Sequence, residues 1–273
     1  SGYGVSVGKS EGTSVKRVRK SAEIPDRLFL YAQLHPHDTW DKFHHRDRNG
    51  YKQVKQQLIK DQYGLCAYCE ISIRLTDNED LVDDFRVEHF HPKTGTENHE
   101  HNYHLDWNNM LGACHGGSHP YVEDAKYRYS ASKEDRSCDV PKGCKSLDTR
   151  ILNPLEIPGN IRLFKYDPFS GEMQVDETQC EGKLRKRAKV TIKELNLNAP
   201  RLKRLRKAVL DVLQEQVDAS LQQGRPLALI LSELAEELLD PGQDGRYPDF
   251  FTAIRWFLGE AAEDFLRKRD FVI

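Results

Sequence analysis

The chain has 273 residues, 38% hydrophobic and 31% charged, with a formal net charge of −2. That composition excludes wholesale disorder and leaves room for one large or two modest cores. No run approaches the roughly 20 apolar residues of a membrane-crossing helix, and the first residues lack the apolar stretch of a signal peptide, so a cytoplasmic protein with no membrane partner is expected. The near-neutral total hides an asymmetry. Eleven Lys or Arg face one acid, Glu194, between residues 183 and 207, whereas thirteen acids face six Lys or Arg from Ala208 onward.

Taken in chain order, helical spacing over residues 24–62 predicts two or three short helices, with Leu28, Leu30, Tyr31, Tyr51, Val54 and Leu58 directed inward and Gly64 closing the last. Residues 65–74 are β-branched and aromatic, residues 76–84 acidic and turn-like, and residues 85–90 strand-like up to Pro92, which together predict a hairpin. Asp106 is placed to cap a helix through residues 107–111. Residues 116–147 are polar and weakly patterned, too long for a plain connection, so an organiser such as a metal ion is expected there. Residues 163–175 predict a second hairpin around Asp167-Pro168-Phe169-Ser170-Gly171. Beyond it, Leu202, Leu205, Val209, Val212, Leu213 and Val217 form one helical stripe, and residues 227–239 and 250–265 supply two further apolar faces. The expected division is 1–62 helical, 63–160 the core bearing the chemistry, and 161–273 a hairpin followed by helices.

Six cysteines without an export signal point to reduced thiols or metal ligands rather than disulfides. Cys66-Ala67-Tyr68-Cys69 is a CxxC knuckle, a spacing that turns two thiolates onto one tetrahedral ion such as zinc, and a second pair must close the site. Cys114 and Cys138 are the first choice, with Cys144, His115 and His119 as rivals for the fourth position. Glu88-His89 stands where a strand ends, where a local bend would let both side chains serve one centre, and seven of the eleven histidines lie between His89 and His119. A neutral imidazole can take a proton from water at physiological pH. Lys93 and Lys142 beside this pair, and Arg185 and Arg187 in the basic stretch, are candidates for contact with a nucleic-acid backbone. A solvated helix face accounts for the basic stretch equally well. No GxxxxGK[ST] loop is present, so any ATP dependence would have to come from a partner.

Several motifs carry a more specific likeness: Leu65-Cys66-Ala67-Tyr68-Cys69-Glu70, Val87-Glu88-His89-Phe90-His91-Pro92-Lys93, Asp106-Trp107-Asn108-Asn109-Met110-Leu111 and Cys138-Asp139-Val140-Pro141-Lys142-Gly143. In that order they resemble the successive motifs of the HNH endonuclease superfamily, and more narrowly its Septu-type and retron-associated branch, PtuB. Ile151-Leu152-Asn153-Pro154, Phe164-Lys165-Tyr166-Asp167 with Ser170-Gly171-Glu172, and Thr191-Ile192-Lys193-Glu194-Leu195-Asn196-Leu197-Asn198 extend the likeness, which covers about residues 24–213.

The resemblance implies an α+β fold, a zinc-braced ββα-metal core with N-terminal helices and a C-terminal helical subdomain. It implies His89 as general base, Asn109 as the asparagine that braces the loop, Glu88 and Asp139 as catalytic-metal ligands, and Cys66, Cys69, Cys114 and Cys138 as structural zinc ligands. It further implies a role in anti-phage defence with a PtuA-like ATPase partner. DNA is the expected substrate; RNA, including tRNA, and a noncatalytic zinc-binding adaptor are the alternatives. The chain departs from the superfamily in having Glu88 before its histidine, Asp139 in the last position, and an insertion at residues 116–137 between its third and fourth cysteines. Two carboxylates favour a hard ion, Mg²⁺ or Mn²⁺.

Overall fold

The structure is a computed structural model that describes residues 17–93, 101–157 and 159–271. Its first elements are the three expected helices, α1 (Asp26–Leu34), α2 (Trp40–Arg46) and α3 (Arg48–Asp61). Side chains start two of them: Thr39 accepts from the Lys42 amide and Asp47 from the Gly50 amide, satisfying donors that a helix start leaves unpaired. Leu28, Tyr31, Trp40, Phe43, Val54 and Leu58 form a small core with Val87, Trp107 and Met110. Leu30 was expected inside and is exposed, because two residues along a helix from Leu28 it lies on the opposite side. Tyr51 is partly buried against the same core. Gly64 ends α3 at φ +73°, its amide on the Ile59 carbonyl at 2.8 Å.

The pairing of residues 65–74 with 85–90 is corrected. β1 (Phe85–His89) pairs antiparallel with β2 (Met110–Cys114), in the register Val87 to Gly112 and His89 to Met110. Residues 65–72 instead close on themselves, with the Cys66 amide on the Ile71 carbonyl at 2.8 Å and one bridge from Leu65 to Ser72. The helix expected over residues 107–111 is corrected as well. Asp106 does cap, accepting from the Asn108 amide, but what it caps is a single 3-10 turn, Trp107–Asn109. Residues 110–114 are apolar without a break and buried on both faces, the pattern of a central strand rather than of a one-sided helix.

The insertion carries α4 (Ala125–Arg128), a 3-10 turn at Lys133–Asp135 and α5 (Asp139–Lys142). Hydrogen bonds organise much of it. Asp135 accepts from the Arg201 amide at 2.6 Å, the Cys138 amide donates to Leu195 O at 2.8 Å, and the Asn196 side chain donates to Glu134 O and Arg136 O, each at 2.8 Å.

The second hairpin, β3 (Phe164–Tyr166) with β4 (Met173–Val175), forms where expected, and the Asn198 amide group pairs with both backbone groups of Met173. The helices α6 (Gly182–Glu194), α7 (Pro200–Gln222), α8 (Leu227–Leu238), α9 (Phe251–Leu258) and α10 (Glu260–Arg267) follow. Gly259, at φ +57°, divides the expected apolar segment 250–265 into two helices, and Val212 is exposed although it was counted in the α7 stripe. One large core runs from the cysteine knuckle to Leu266 in α10. The C-terminal helices are tied to the knuckle by polar contacts too. Glu70 accepts from the amide and hydroxyl of Thr252, both at 2.9 Å, and Arg246 donates to Ile73 O at 2.7 Å.

Candidate active site and metal centre

The knuckle brings Cys66 and Cys69 beside Cys114 at the end of β2, and the returning insertion delivers Cys138. Their Sγ atoms lie within 4.8 Å of one another, at 3.9 Å for Cys66–Cys138, 3.5 Å for Cys69–Cys114 and 3.6 Å for Cys114–Cys138. A tetrahedral ion with metal–sulfur bonds of about 2.3 Å requires sulfurs roughly 3.8 Å apart, so the four thiols fit such an ion. All four are buried, and two backbone amides point at sulfur, Cys114 N to Cys66 Sγ at 3.3 Å and Gly116 N to Cys114 Sγ at 3.4 Å, as thiolates require. Cys144 is exposed and outside the group, so the choice among rivals falls on Cys138. Gly116 permits the approach: at φ +56°, a Cβ there would lie 2.1 Å from Ser137 O. Cys138 itself sits at φ +62°, a costly conformation for a non-glycine residue, held by its amide bond to Leu195.

β1 alternates cleanly. Phe85, Val87 and His89 are buried on one face, while Arg86 and Glu88 occupy the other. The local bend expected to bring Glu88 and His89 to one side is therefore absent, because strand pairing continues through His89 to Met110. On the Glu88 face, Lys142 Nζ donates to Glu88 Oε1 at 2.7 Å and to His89 O at 3.0 Å, and Arg86 Nε donates to Asp139 Oδ2 at 2.6 Å. Tyr68 adds a hydroxyl 3.3 Å from Glu88. Burial raises both carboxyls above their usual range, opposed by Lys142 at Glu88 and by Arg86 at Asp139. Asp139 Oδ1 is buried without a hydrogen-bond partner, an acceptor positioned for a cation.

On the other face the His89 ring is 4% exposed and packs edge-on to Trp40, with centroids 5.3 Å apart. Nε2 lies 3.1 Å from the His104 carbonyl, which can only accept, so the hydrogen is on Nε2 and the lone pair on Nδ1. Burial, with help from the Lys93 charge, lowers the imidazole pKa to about 3, so the ring is neutral at physiological pH. Asn109 fastens the loop that supplies this carbonyl. Its Oδ1 accepts from the His91 amide at 2.7 Å, and its Nδ2 donates to His91 O and Tyr103 O, each at 3.0 Å.

The expected backbone contacts are differently placed. Lys142 is buried and occupied by Glu88, Arg187 donates to Ile151 O and Asp148 O, and Arg185 pairs with Glu177 at 3.2 Å. Arg201 and Arg206 are buried, so the basic stretch is not one continuous solvated face; Lys183, Lys186, Lys193 and Arg204 are exposed. Lys93 is half-buried beside the His89 loop. Sequence reasoning overlooked Arg86, although two residues from Glu88 on a strand it must share that face. It also overlooked Tyr68, the His104 carbonyl and Asp148, which no spacing announces.

A cysteine-braced two-stranded ribbon ending on an acid–histidine pair is the frame expected of a phosphodiester hydrolase. A protein of Escherichia coli described as an HNH endonuclease of retron Ec83 is 31% identical over 209 residues, 72% of this chain and 79% of that protein. The chain belongs to the HNH endonuclease family and is an HNH endonuclease. No family model matches it. Among the described residues, no helix is long and apolar enough to cross a membrane.

Proposed function

We propose that this chain is a metal-dependent endonuclease that cleaves DNA as the effector of an anti-phage defence system, restrained or delivered by a PtuA-like ATPase partner. The observation that carries the catalytic part is the setting of His89 at the end of β1: its Nε2 is committed to the His104 carbonyl, which leaves the lone pair on Nδ1, and Asn109 ties down the neighbouring Tyr103 carbonyl. The likeness to the retron Ec83 protein supports the defence setting.

In this reading His89 Nδ1 accepts the proton of the attacking water, and Asn109 holds the carbonyl next to the orienting one. Cys66, Cys69, Cys114 and Cys138 hold zinc, which stabilises the fold. Glu88 and Asp139 hold Mg²⁺ or Mn²⁺, a number of carboxylates that suits a hard ion completed by water and phosphate. When bound, that ion stabilises charge on the phosphate and the departing 3′ oxygen. Arg86 and Lys142 oppose the burial that raises the two carboxyls and orient them. Lys93, with Arg185 and the exposed lysines of α6, contributes sequence-independent attraction to the backbone.

The test is cleavage of matched DNA and RNA by the chain, alone and co-expressed with the ATPase, with Mg²⁺ or Mn²⁺. Cleavage of DNA that is lost in His89→Ala, with metal content retained, is the expected result. Preferential cleavage of RNA would transfer the reading to that substrate, and undiminished cleavage by His89→Ala would remove His89 from the mechanism.

A further inference from the structure

His91 Nδ1 meets Asp148 Oδ2, joining the exit of β1 to the segment after α5, the same two parts of the chain that Glu88 and Lys142 join. Resting on the nuclease reading, we propose that His91 is a second catalytic residue, the general acid that protonates the departing 3′ oxygen, with Asp148 as its positioning residue.

The geometry has the features such a group needs. A carboxylate can only accept, so Asp148 fixes the hydrogen on Nδ1 and leaves Nε2 for exchange with a substrate. His91 is partly exposed whereas His89 is buried, so of the two imidazoles it is the more accessible. Its ring is stacked on Tyr103 at 3.9 Å between centroids, and Asn109 holds both its amide and its carbonyl, so the side chain projects from a fixed backbone. Asp148 is held in turn: Arg187 donates to its carbonyl at 3.3 Å and to Ile151 O at 2.6 Å. Asp148 Oδ1 is buried without a hydrogen-bond partner, which leaves His91 as the hydrogen-bond partner of this carboxylate.

Hydrolysis that also protonates its leaving oxygen uses two proton carriers in opposite states, and one histidine cannot be both at once. Water bonds to phosphorus and passes its proton to His89 Nδ1. The bond from phosphorus to the 3′ oxygen breaks, its electron pair stays on that oxygen, and His91, which enters this step as the imidazolium with a hydrogen on each nitrogen, supplies the proton from Nε2 and keeps the one on Nδ1. Solvent then restores both rings, and no further reactant is required.

A leaving group that needs no proton isolates this step. An oligonucleotide with sulfur in place of the bridging 3′ oxygen at one position is compared with the ordinary ester, with Mn²⁺ in both arms. His91→Ala is expected to slow cleavage of the oxygen ester by about 100-fold or more while leaving the sulfur ester nearly unaffected. Asp148→Asn, which preserves volume and serves if the first variant folds poorly, is expected to show the same selectivity. Equal losses on both esters, or no loss on the oxygen ester, would overturn the assignment. If the unaltered protein cleaves neither, the nuclease reading fails and the assignment falls with it.

Discussion

Asn109 shows how much one side chain can organise. Its amide group makes three hydrogen bonds, two to the backbone of His91 and one to the Tyr103 carbonyl next to the His104 carbonyl that holds His89, so it bears on both imidazoles. Asn109→Ala removes about 1 kcal/mol per bond and leaves backbone groups unpaired, so a loss of roughly 2–3 kcal/mol is expected in denaturant unfolding. Cleavage should fall by more than that stability loss explains, measured under conditions where the variant remains folded. Lys142 is a sharper case. A buried ammonium paired with a buried carboxylate is costly to separate, and Lys142→Met, which leaves Glu88 charged and alone, is expected to destabilise by about 3–5 kcal/mol. A melting temperature equal to that of the unaltered protein would show that Glu88 is neutral or otherwise paired.

A two-stranded ribbon alone is marginal in water, so β1 and β2 rely on the cores they pack into, and on the proposed zinc reading the four thiols add to that support. Cys138→Ser is expected to lower bound zinc to well below one equivalent and to lower the melting temperature, whereas Cys144→Ser, outside the cluster and exposed, should change neither; metal analysis beside calorimetry decides. Asp84, just before β1, gives the element a pH dependence. Burial pushes its carboxyl up to about 6, opposed by Arg128 and Arg74 at 3.4 and 3.6 Å. A carboxyl whose folded pKa lies above its unfolded value binds protons more tightly in the folded state, so its stabilising contribution is present below about pH 4 and lost as pH rises through about 6. Asp84→Asn should therefore exceed the unaltered protein in melting temperature most at pH 7, and the gap should close as pH falls from 6 to 4. A gap independent of pH would remove Asp84 as its source.

Across the molecule, the C-terminal helices and the knuckle share one core, and Glu70 is the polar pin between them. Its carboxylate is 4% exposed and satisfied by the amide and hydroxyl of Thr252, while the Phe250 amide donates to its carbonyl. Glu70→Ala takes the acceptor from the Thr252 amide and hydroxyl in a dry setting, while the Phe250 bond to the backbone carbonyl is kept, and is expected to cost about 2–4 kcal/mol. Loss of hydrogen-exchange protection in α9 together with the knuckle would show that they open as a unit; loss confined to the knuckle would show independent units.

Residues 24–62 and the hairpin at 163–175 were legible because capping, periodicity and turn chemistry are local, as was the turn of the CxxC knuckle. The amino-acid sequence by itself determined which atoms could bind metal or move protons, since those are properties of residue type and short spacing. The tertiary structure alone decided which of them meet. It brought Cys138 rather than Cys144 to the other three thiols, put a 3-10 turn and the partner strand 110–114 where a helix is expected over 107–111, placed Glu88 and His89 on opposite faces, and set Lys142, Arg86 and Asp148 against their partners. These outcomes depend on burial and on contacts between residues far apart in the chain, where packing overrides local preference and no short-range pattern records the result.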